Sequence, residues 1–411
     1  MQTSFPAPAQ SYAQRSAANW RLGIPTYIYA VVFASACIIV GLIWDIMWHM
    51  SIGRDGLFSP PHLVLYVGAV VAGLFSAYQI LSLTFSRNER EKSRNVRFWG
   101  IFYGSLGAMF CAWGALAILT SAPFDDWWHS TYGLDVQILT PPHTILLLGM
   151  MTVQFGAMVG VLALQNQTPD SSFSAEMAQK RASRLRLLFA ISAGLLLAVL
   201  YTLFSEDMGS HASHNSNSYL FAGIVFPIYL LAVGRGSQLR YPLTAITLIY
   251  MLALVAPSWV IQFFPATPRL GPVLNPITTY QPFDFPLLLV VPGFVLDLLM
   301  HRFDRADGGK KLNDWLLAVL LGSAFMLVFL LVQWPFGGFL KTSPYARNAF
   351  FLSYSWAYAS SPDWSYRYAF GPWYQQTLAQ FGQGFGIALA AAIVSARIGL
   401  VWGNWMKRVQ R

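Results

Sequence analysis

Ten long apolar segments alternate with short polar connections along this chain of 411 residues. They lie at about 24–50, 60–85, 98–121, 141–165, 186–205, 218–234, 242–264, 285–301, 313–334 and 379–402. An α-helix of about 20 apolar residues is long enough to cross a hydrocarbon core about 30 Å thick. The pattern therefore predicts an all-α fold, a polytopic transmembrane helix bundle with about ten spans.

The composition favours a protein embedded in the lipid bilayer over a soluble one. Only 10% of the residues are charged, 55% are hydrophobic and the mean hydropathy is +0.48, whereas soluble domains carry about 25% charged residues. Both cysteines, Cys37 and Cys111, fall inside apolar segments. We therefore expect them to pack in the bundle, where they do not report on redox conditions.

The distribution of basic residues predicts the orientation of the bundle. When the N-terminus is placed on the inner side, 21 of the 26 Lys and Arg residues fall in inner segments and five in outer loops. Cytoplasmic loops of membrane proteins carry such an excess. The net charge of +9 is therefore explained by the orientation of the spans, with both termini inside, and not by nucleic-acid binding.

The same pattern divides the chain into three parts. Residues 1–23 are predicted to be a cytoplasmic tail, because they are mostly polar and lack a cleavable signal pattern. Residues 24–165 hold four spans, and residues 166–411 form an extension with six more. Within that extension, residues 335–378 are rich in Trp, Tyr, Phe and Pro, which predicts an outer cap with short helices at the membrane interface.

One short motif occurs twice, each time where a span meets its outer loop. In "DIMWHMSIGRDGLFSPPH", Asp45 and His49 are four residues apart, and His62 follows a Pro-Pro pair. Side chains at i and i+4 share one face of a helix, and proline suits the first turn of the next helix. The three side chains are therefore expected to converge on a site for Fe(II), Cu or Zn.

The second copy, "DDWWHSTYGLDVQILTPPH", places Asp125, His129 and His143 at nearly the same spacing. One copy alone would be interpreted as polar interfacial residues paired with one another. Two copies favour two metal sites, because ionisable groups in spans are costly and usually functional. Arg54 and Asp55 of the first loop are weaker candidates, which could orient the ligands or form a plain salt bridge.

A third, less complete pattern lies in "SEDMGSHASHNSNS". Asp207 and His211 repeat the i, i+4 pair and His214 follows, but no Pro-Pro-His completes the set. The segment could be a third metal site, a copper entrance or simply a polar loop.

Two other outer segments, 263–286 and 333–350, are rich in Pro and Gly, which predicts rigid loops without helix. Asp284, Arg269 and Arg347 could reach the sites from these loops. The favoured interpretation is that the loops roof the bundle or dock a partner.

The first motif resembles a signature of the C subunit of the copper membrane monooxygenases, the family of particulate methane and ammonia monooxygenases. The residues that match the signature in order are Asp45, Trp48, His49, Arg54, Asp55, Phe58, Pro60 and His62, followed by "YVG" at 66–68. The second motif is similar to another site of that family, with Asp125 in place of an asparagine. The resemblance covers about residues 40–165.

This resemblance implies a metal-bearing membrane subunit with copper, or else zinc or iron, in which Asp45, His49 and His62 take the catalytic position. It implies oxidation of a small apolar or weakly polar molecule by O₂. It further implies other membrane subunits, one of them with a cupredoxin domain, and a bacterial inner or intracytoplasmic membrane with the metal sites on the periplasmic side. The chain is longer than a typical C subunit.

Two other classes of function stay open at this level. Thirteen methionines and the polar outer residues could belong to a copper or other transition-metal transporter, but no polar route continues through the inner halves of the spans. A scaffold subunit of an oxidase complex would use the ligand sets only to stabilise the bundle. No haem-attachment motif, flavin fingerprint or Cys cluster indicates an electron donor.

Overall fold

A computed structural model describes residues 22–133, 140–168, 173–304 and 311–411. In these ranges the chain forms eleven α-helices and one short sheet. The elements are α1 (Thr26–Ser51), α2 (Pro60–Thr84), α3 (Glu89–Ser93), β1 (Val96–Phe98), β2 (Phe102–Gly104), α4 (Leu106–Tyr132), α5 (Pro141–Asn166), α6 (Ala175–Leu203), α7 (Ser216–Gly236), α8 (Pro242–Ile261), α9 (Val290–Phe303), α10 (Asp314–Thr342) and α11 (Leu378–Met406). Nearly all of the predicted tail, residues 1–23, lies outside the described ranges.

Nine of the described helices are long and apolar enough to cross a membrane. They have 20 to 29 residues each, and an α-helix rises about 1.5 Å per residue, so each matches a hydrocarbon core about 30 Å thick. The prediction of an all-α polytopic bundle is therefore confirmed. We call the end of the bundle where α1 finishes and α2 begins the motif end.

The predicted span at 285–301 has a different form from the others. Only Val290–Phe303 is helical there, a helix of 14 residues, and the nine residues before it are not helical. Pro286 disfavours a helix that would run through it from an earlier start, because proline lacks an amide hydrogen and clashes with the preceding turn.

Side chains from two other helices satisfy the amides of this non-helical segment, residues 281–289. The amide of Gln281 donates to Ser51 Oγ over 2.8 Å, and the amide of Leu288 donates to Gln333 Oε1 over 3.1 Å. Irregular backbone at membrane depth is tolerated where protein surrounds it or where it lines a cavity. The segment is thus held between the end of α1 and α10.

The predicted span at 98–121 is shifted along the chain, because α4 begins at Leu106 and continues to Tyr132. A β-hairpin comes first, turning at Trp99 and Gly100, whose φ angles are 49° and 73°. Ser105 then caps the helix by accepting the amide of Ala108 over 3.2 Å. Because α4 is longer at its far end, Asp125 lies inside the helix and not beyond it.

The outer cap predicted at 335–378 begins later, because α10 continues to Thr342. Residues 343–377 form the cap, which contains two short 3₁₀ turns at Pro344–Ala346 and Pro372–Tyr374. Aromatic rings pack on one another along it. Trp364, for example, stacks on Trp356 with ring centroids 5.7 Å apart. The cap covers the motif end of the C-terminal helices.

Glycines let the helices of both motif hairpins approach closely. A Cβ atom at Gly68 of α2 would lie 2.8 Å from the carbonyl oxygen of Ala34, and one at Gly149 of α5 would lie 2.9 Å from that of Gly114. Gly68 and Gly149 each come six residues after the histidine of a Pro-Pro-His sequence. Small residues at such crossings allow backbone contact within the membrane. The two hairpins therefore pack in the same way.

Replacing Gly68 by leucine is expected to lower the free energy of unfolding by about 1–3 kcal/mol, because the side chain would force α2 away from α1. Gly386→Leu is the matched control, since a Cβ atom there meets nothing within 4 Å. Unfolding in detergent, followed by circular dichroism, measures both. Equal midpoints for the two variants would contradict this account of the hairpin.

An ion network holds the opposite end of the C-terminal helices together. Arg235 of α7 is 5% exposed, and its guanidinium lies 2.7 Å from Asp304 Oδ1 and 2.9 Å from Asp314 Oδ1. Its Nη1 also donates to the carbonyl oxygen of Leu400 in α11 over 3.2 Å. One guanidinium thus joins α7, the end of α9, the start of α10 and α11.

Candidate metal centres

The first site forms where α1 ends and α2 begins. Asp45 and His49 lie in the last two turns of α1, and His62 lies in the first turn of α2, directly after the two prolines. The loop between the helices turns at Gly53, whose φ of 86° is the left-handed conformation that glycine adopts without strain. This turn directs the loop back over the helix end and brings Asp55 to the same place.

Four side chains meet in this first site. His62 Nε2 lies 3.3 Å from Asp45 Oδ1 and 3.2 Å from Asp55 Oδ2. His49 Nε2 lies 3.8 Å from Asp45 Oδ2 and 3.5 Å from Asp55 Oδ2. One ligand atom each from Asp45, Asp55 and His62 falls within 4.8 Å of the others. The side chain of His49 is 49% exposed against 16% for His62, so His49 occupies the rim.

The structure separates the two weaker candidates of this loop. The Asp55 carboxylate lies among the ligand atoms, whereas the Arg54 side chain is exposed and has no ion pair with any described residue. Arg54 acts through its backbone, because its carbonyl oxygen accepts the indole N–H of Trp48 over 3.0 Å. Burial alone would raise the pKa of Asp55, but hydrogen bonds from His49 and His62 and their charge hold that pKa well below its usual range.

The C-terminal extension supports the loop of the first site. The amide of Tyr358, in the cap, donates to the carbonyl oxygen of Met50 over 3.0 Å, and the amide of Arg269 donates to that of Ile52 over 2.8 Å. The Tyr358 ring also packs against Gly53, so closely that a Cβ atom there would lie 2.1 Å from its hydroxyl. The position of Asp55 therefore depends on the cap as well as on the loop.

The second site repeats the arrangement at the end of α4 and the start of α5. His129 Nε2 lies 3.5 Å from Asp125 Oδ2, and His143 Nε2 lies 3.3 Å from Asp125 Oδ1. Ligand atoms of these three residues all fall within 4.8 Å of one another, and all three are partly buried. Pro141 and Pro142 start α5 just before His143, as the first Pro-Pro pair starts α2. Residues 134–139 of the connecting loop lie outside the described ranges.

The orientation of the imidazoles suits a cation. Nδ1 of His62 lies 3.0 Å from the carbonyl oxygen of Gly56, and Nδ1 of His129 lies 3.3 Å from that of Gly133. A carbonyl oxygen can only accept, so Nδ1 carries the hydrogen. Nε2, which faces carboxylate oxygens, must then hold either a second proton or a metal ion. This carbonyl-imidazole arrangement is the one that orients histidine ligands in metal sites.

Asp55 was predicted only as a weaker candidate, yet its carboxylate lies among the ligand atoms of the first site. It stands six residues after His49, and Asp135 stands six residues after His129. This shared offset was a signal that could have placed Asp55 among the ligand candidates. Asp135 lies outside the described residues.

The structure does not gather the third pattern into a site. His211 Nε2 contacts the Lys341 ammonium, and a cation there opposes a metal ion. His214 is stacked between Trp334 and Phe370, with centroids 4.0 Å and 4.2 Å from theirs. Among the described residues, neither of them shares a group of potential metal ligands with Asp207.

His214 behaves as a packing residue of the loop. Its Nε2 lies 2.8 Å from the carbonyl oxygen of Trp334, and burial lowers its pKa. A neutral ring that donates to this carbonyl fits the stacked position between two aromatic groups.

No family model matches this chain, and no curated protein or solved structure matches it either. The likeness to the C subunit of the copper membrane monooxygenases therefore stays a prediction from the two motifs. The donor sets themselves, imidazole nitrogen with carboxylate oxygen, suit copper, zinc and iron.

Proposed function

We propose that this chain is the metal-bearing membrane subunit of an O₂-dependent oxidoreductase, a monooxygenase that acts on a small apolar or weakly polar substrate with copper at its two sites. The observation that carries the proposal is that Asp and His side chains converge twice where a helix end meets a Pro-Pro helix start. In each copy a carbonyl oxygen holds one imidazole, that of His62 in the first and that of His129 in the second. Zinc and iron are the alternative metals for the same donors.

The residues of each site would hold the metal and leave room beside it. Three or four protein ligands leave coordination positions open, which a reaction with O₂ requires. A bound copper ion would supply the capacity to bind and reduce O₂. Next to the first site, Phe58 and Leu63 are 73% and 45% exposed, so an apolar substrate dissolved in the bilayer could approach along an apolar surface.

The proposal includes partners and a location. Electrons would come from another chain, and the resemblance points to a membrane subunit with a cupredoxin domain in a multi-subunit complex. By the same resemblance the membrane is a bacterial inner or intracytoplasmic membrane, with both sites on the periplasmic side. The positive-inside distribution of Lys and Arg supports this orientation.

Asp45→Asn tests the proposal with almost no change of shape. In membranes that contain the chain and its native partners, we expect substrate-dependent O₂ consumption to fall at least about tenfold, since loss of a ligand charge weakens metal binding. Asp363→Asn is the matched control, because Asp363 is an exposed acid of the cap outside both sites. Wild-type rates in Asp45→Asn, or a protein that holds no transition metal after incubation with copper, zinc or iron, would refute the proposal.

A further inference from the structure

Another candidate binding site lies mainly in the C-terminal extension, and of its lining residues only Met50 belongs to a motif-bearing helix. It is a cavity of about 240 Å³ at the motif end, between α6, α10, the non-helical segment 281–289 and the cap. A single water needs only about 10–15 Å³ measured in this way. The cavity therefore has room for a small molecule.

Asp284 of the non-helical segment places an uncompensated carboxylate in this cavity. Its side chain is accessible from the cavity, and it makes no hydrogen bond and no ion pair within 4.0 Å with any described residue. The Asp284 side chain is exposed to this cavity, so its carboxylate can accept hydrogen bonds from a ligand.

Two basic side chains line another part of the same cavity. The Lys341 ammonium donates to the carbonyl oxygen of Arg367 over 2.9 Å and also to His211 Nε2. Burial, and then the positive charge of Lys341, lower the pKa of His211 to about 4, so its ring is a neutral acceptor. Arg367 Nη2 donates to the carbonyl oxygen of Tyr354 over 3.2 Å, but its buried Nε has no hydrogen-bond acceptor among the described residues.

The acid and the bases of this cavity do not pair directly. Lys341 lies near enough to act electrostatically on Asp284, yet their charged atoms are more than 4.0 Å apart. An acidic and a basic group that line one cavity without pairing form two poles, each with binding capacity. A ligand that brings an ammonium to one pole and a carboxylate to the other would satisfy both.

We propose that this cavity binds a small zwitterion of the α-amino-acid type, with its ammonium on Asp284 and its carboxylate on Lys341 and Arg367. Phe351 and Met208 line the remaining wall and would contact a short side chain. The site is independent of metal, so this proposal stands or fails separately from the oxidoreductase proposal.

The test uses the purified full-length chain in detergent, with glycine, L-alanine, L-serine and L-glutamine as probes. Each is compared with its N-acetyl derivative, which lacks the ammonium, and its amide, which lacks the carboxylate. We expect at least one free amino acid at millimolar concentration to raise the thermal unfolding midpoint by several degrees, because a ligand that binds only the folded chain stabilises it. Equilibrium dialysis gives its affinity.

Asp284→Asn is expected to weaken that affinity at least about tenfold, since it removes a charge-assisted hydrogen bond. Without ligand the variant should unfold close to the wild-type midpoint, because the Asp284 side chain is exposed and bonds to no described residue. Asp363→Asn, which changes an exposed acid of the cap outside the cavity, should bind as the wild type does. The proposal is overturned if no probe raises the midpoint, if derivatives act as well as free amino acids, or if the two variants bind equally.

Discussion

Replacing His62 by alanine should remove the metal of the first site and leave the second site loaded. His62 Nε2 is the nitrogen that lies within 3.3 Å of both Asp45 and Asp55, so its loss leaves two carboxylates without a central nitrogen ligand. His49→Ala should remove less metal than His62→Ala, because His49 lies at the exposed rim, farther from the carboxylate oxygens of Asp45 and Asp55. Elemental analysis after purification in mild detergent measures both.

The control is His301→Ala, since the His301 ring contacts only the carbonyl of Arg240 and the ring of Tyr241 in the described structure. Circular dichroism must show that each variant keeps its helices. Equal metal loss from the His49 and His62 variants would contradict the placement of His49 at the rim. If His62→Ala holds as much metal as the wild type, the first site does not bind metal.

Arg235→Met should lower the free energy of unfolding by about 3–5 kcal/mol, the cost of leaving buried charges without their partner. Asp304 loses its hydrogen bonds to this guanidinium, Asp314 loses one and keeps Arg397 at 3.8 Å, and α11 loses the contact through Leu400. Unfolding in detergent, followed by circular dichroism, would show the change as a lower midpoint.

Arg240→Met is the matched control for this substitution. Arg240 is exposed and lies at the same end of the bundle, and its change should alter stability by no more than about 0.5 kcal/mol. Adding Asp304→Asn and Asp314→Asn to Arg235→Met should recover part of the loss, because the unpaired charges then disappear. If Arg235→Met and Arg240→Met unfold alike, the network does not hold these helices together.

Much of the helix pattern could be predicted because lipid imposes simple rules on a chain. The predicted spans at 60–85 and 141–165 agree with α2 and α5 within a residue, since Pro-Pro pairs fix their starts. The span at 285–301 was less predictable. Its apolar residues look like those of any span, but its first part is not helical, and the amide of Leu288 there donates to Gln333, which is distant in sequence.

The candidate sites were predictable in part for similar reasons. Helical spacing and the Pro-Pro start bring Asp45 and His62 together, and both rules are local. The position of Asp55 is tertiary, because it depends on the turn at Gly53 and on Tyr358 of the cap. The stacked place of His214 also depends on rings far along the chain, which its position after Asp207 and His211 does not indicate.

The order of the helices fixes the sidedness of the two metal centres. Between α1 and α4 the chain crosses the membrane once, through α2. The helices α1 and α4 therefore run in the same direction, and their motif-bearing ends lie in the same leaflet. Both candidate sites therefore face a single aqueous compartment, so any metal ion that they bind would come from the same side of the membrane. They cannot be the entrance and the exit of a path through the membrane, and any soluble donor must serve both from one side.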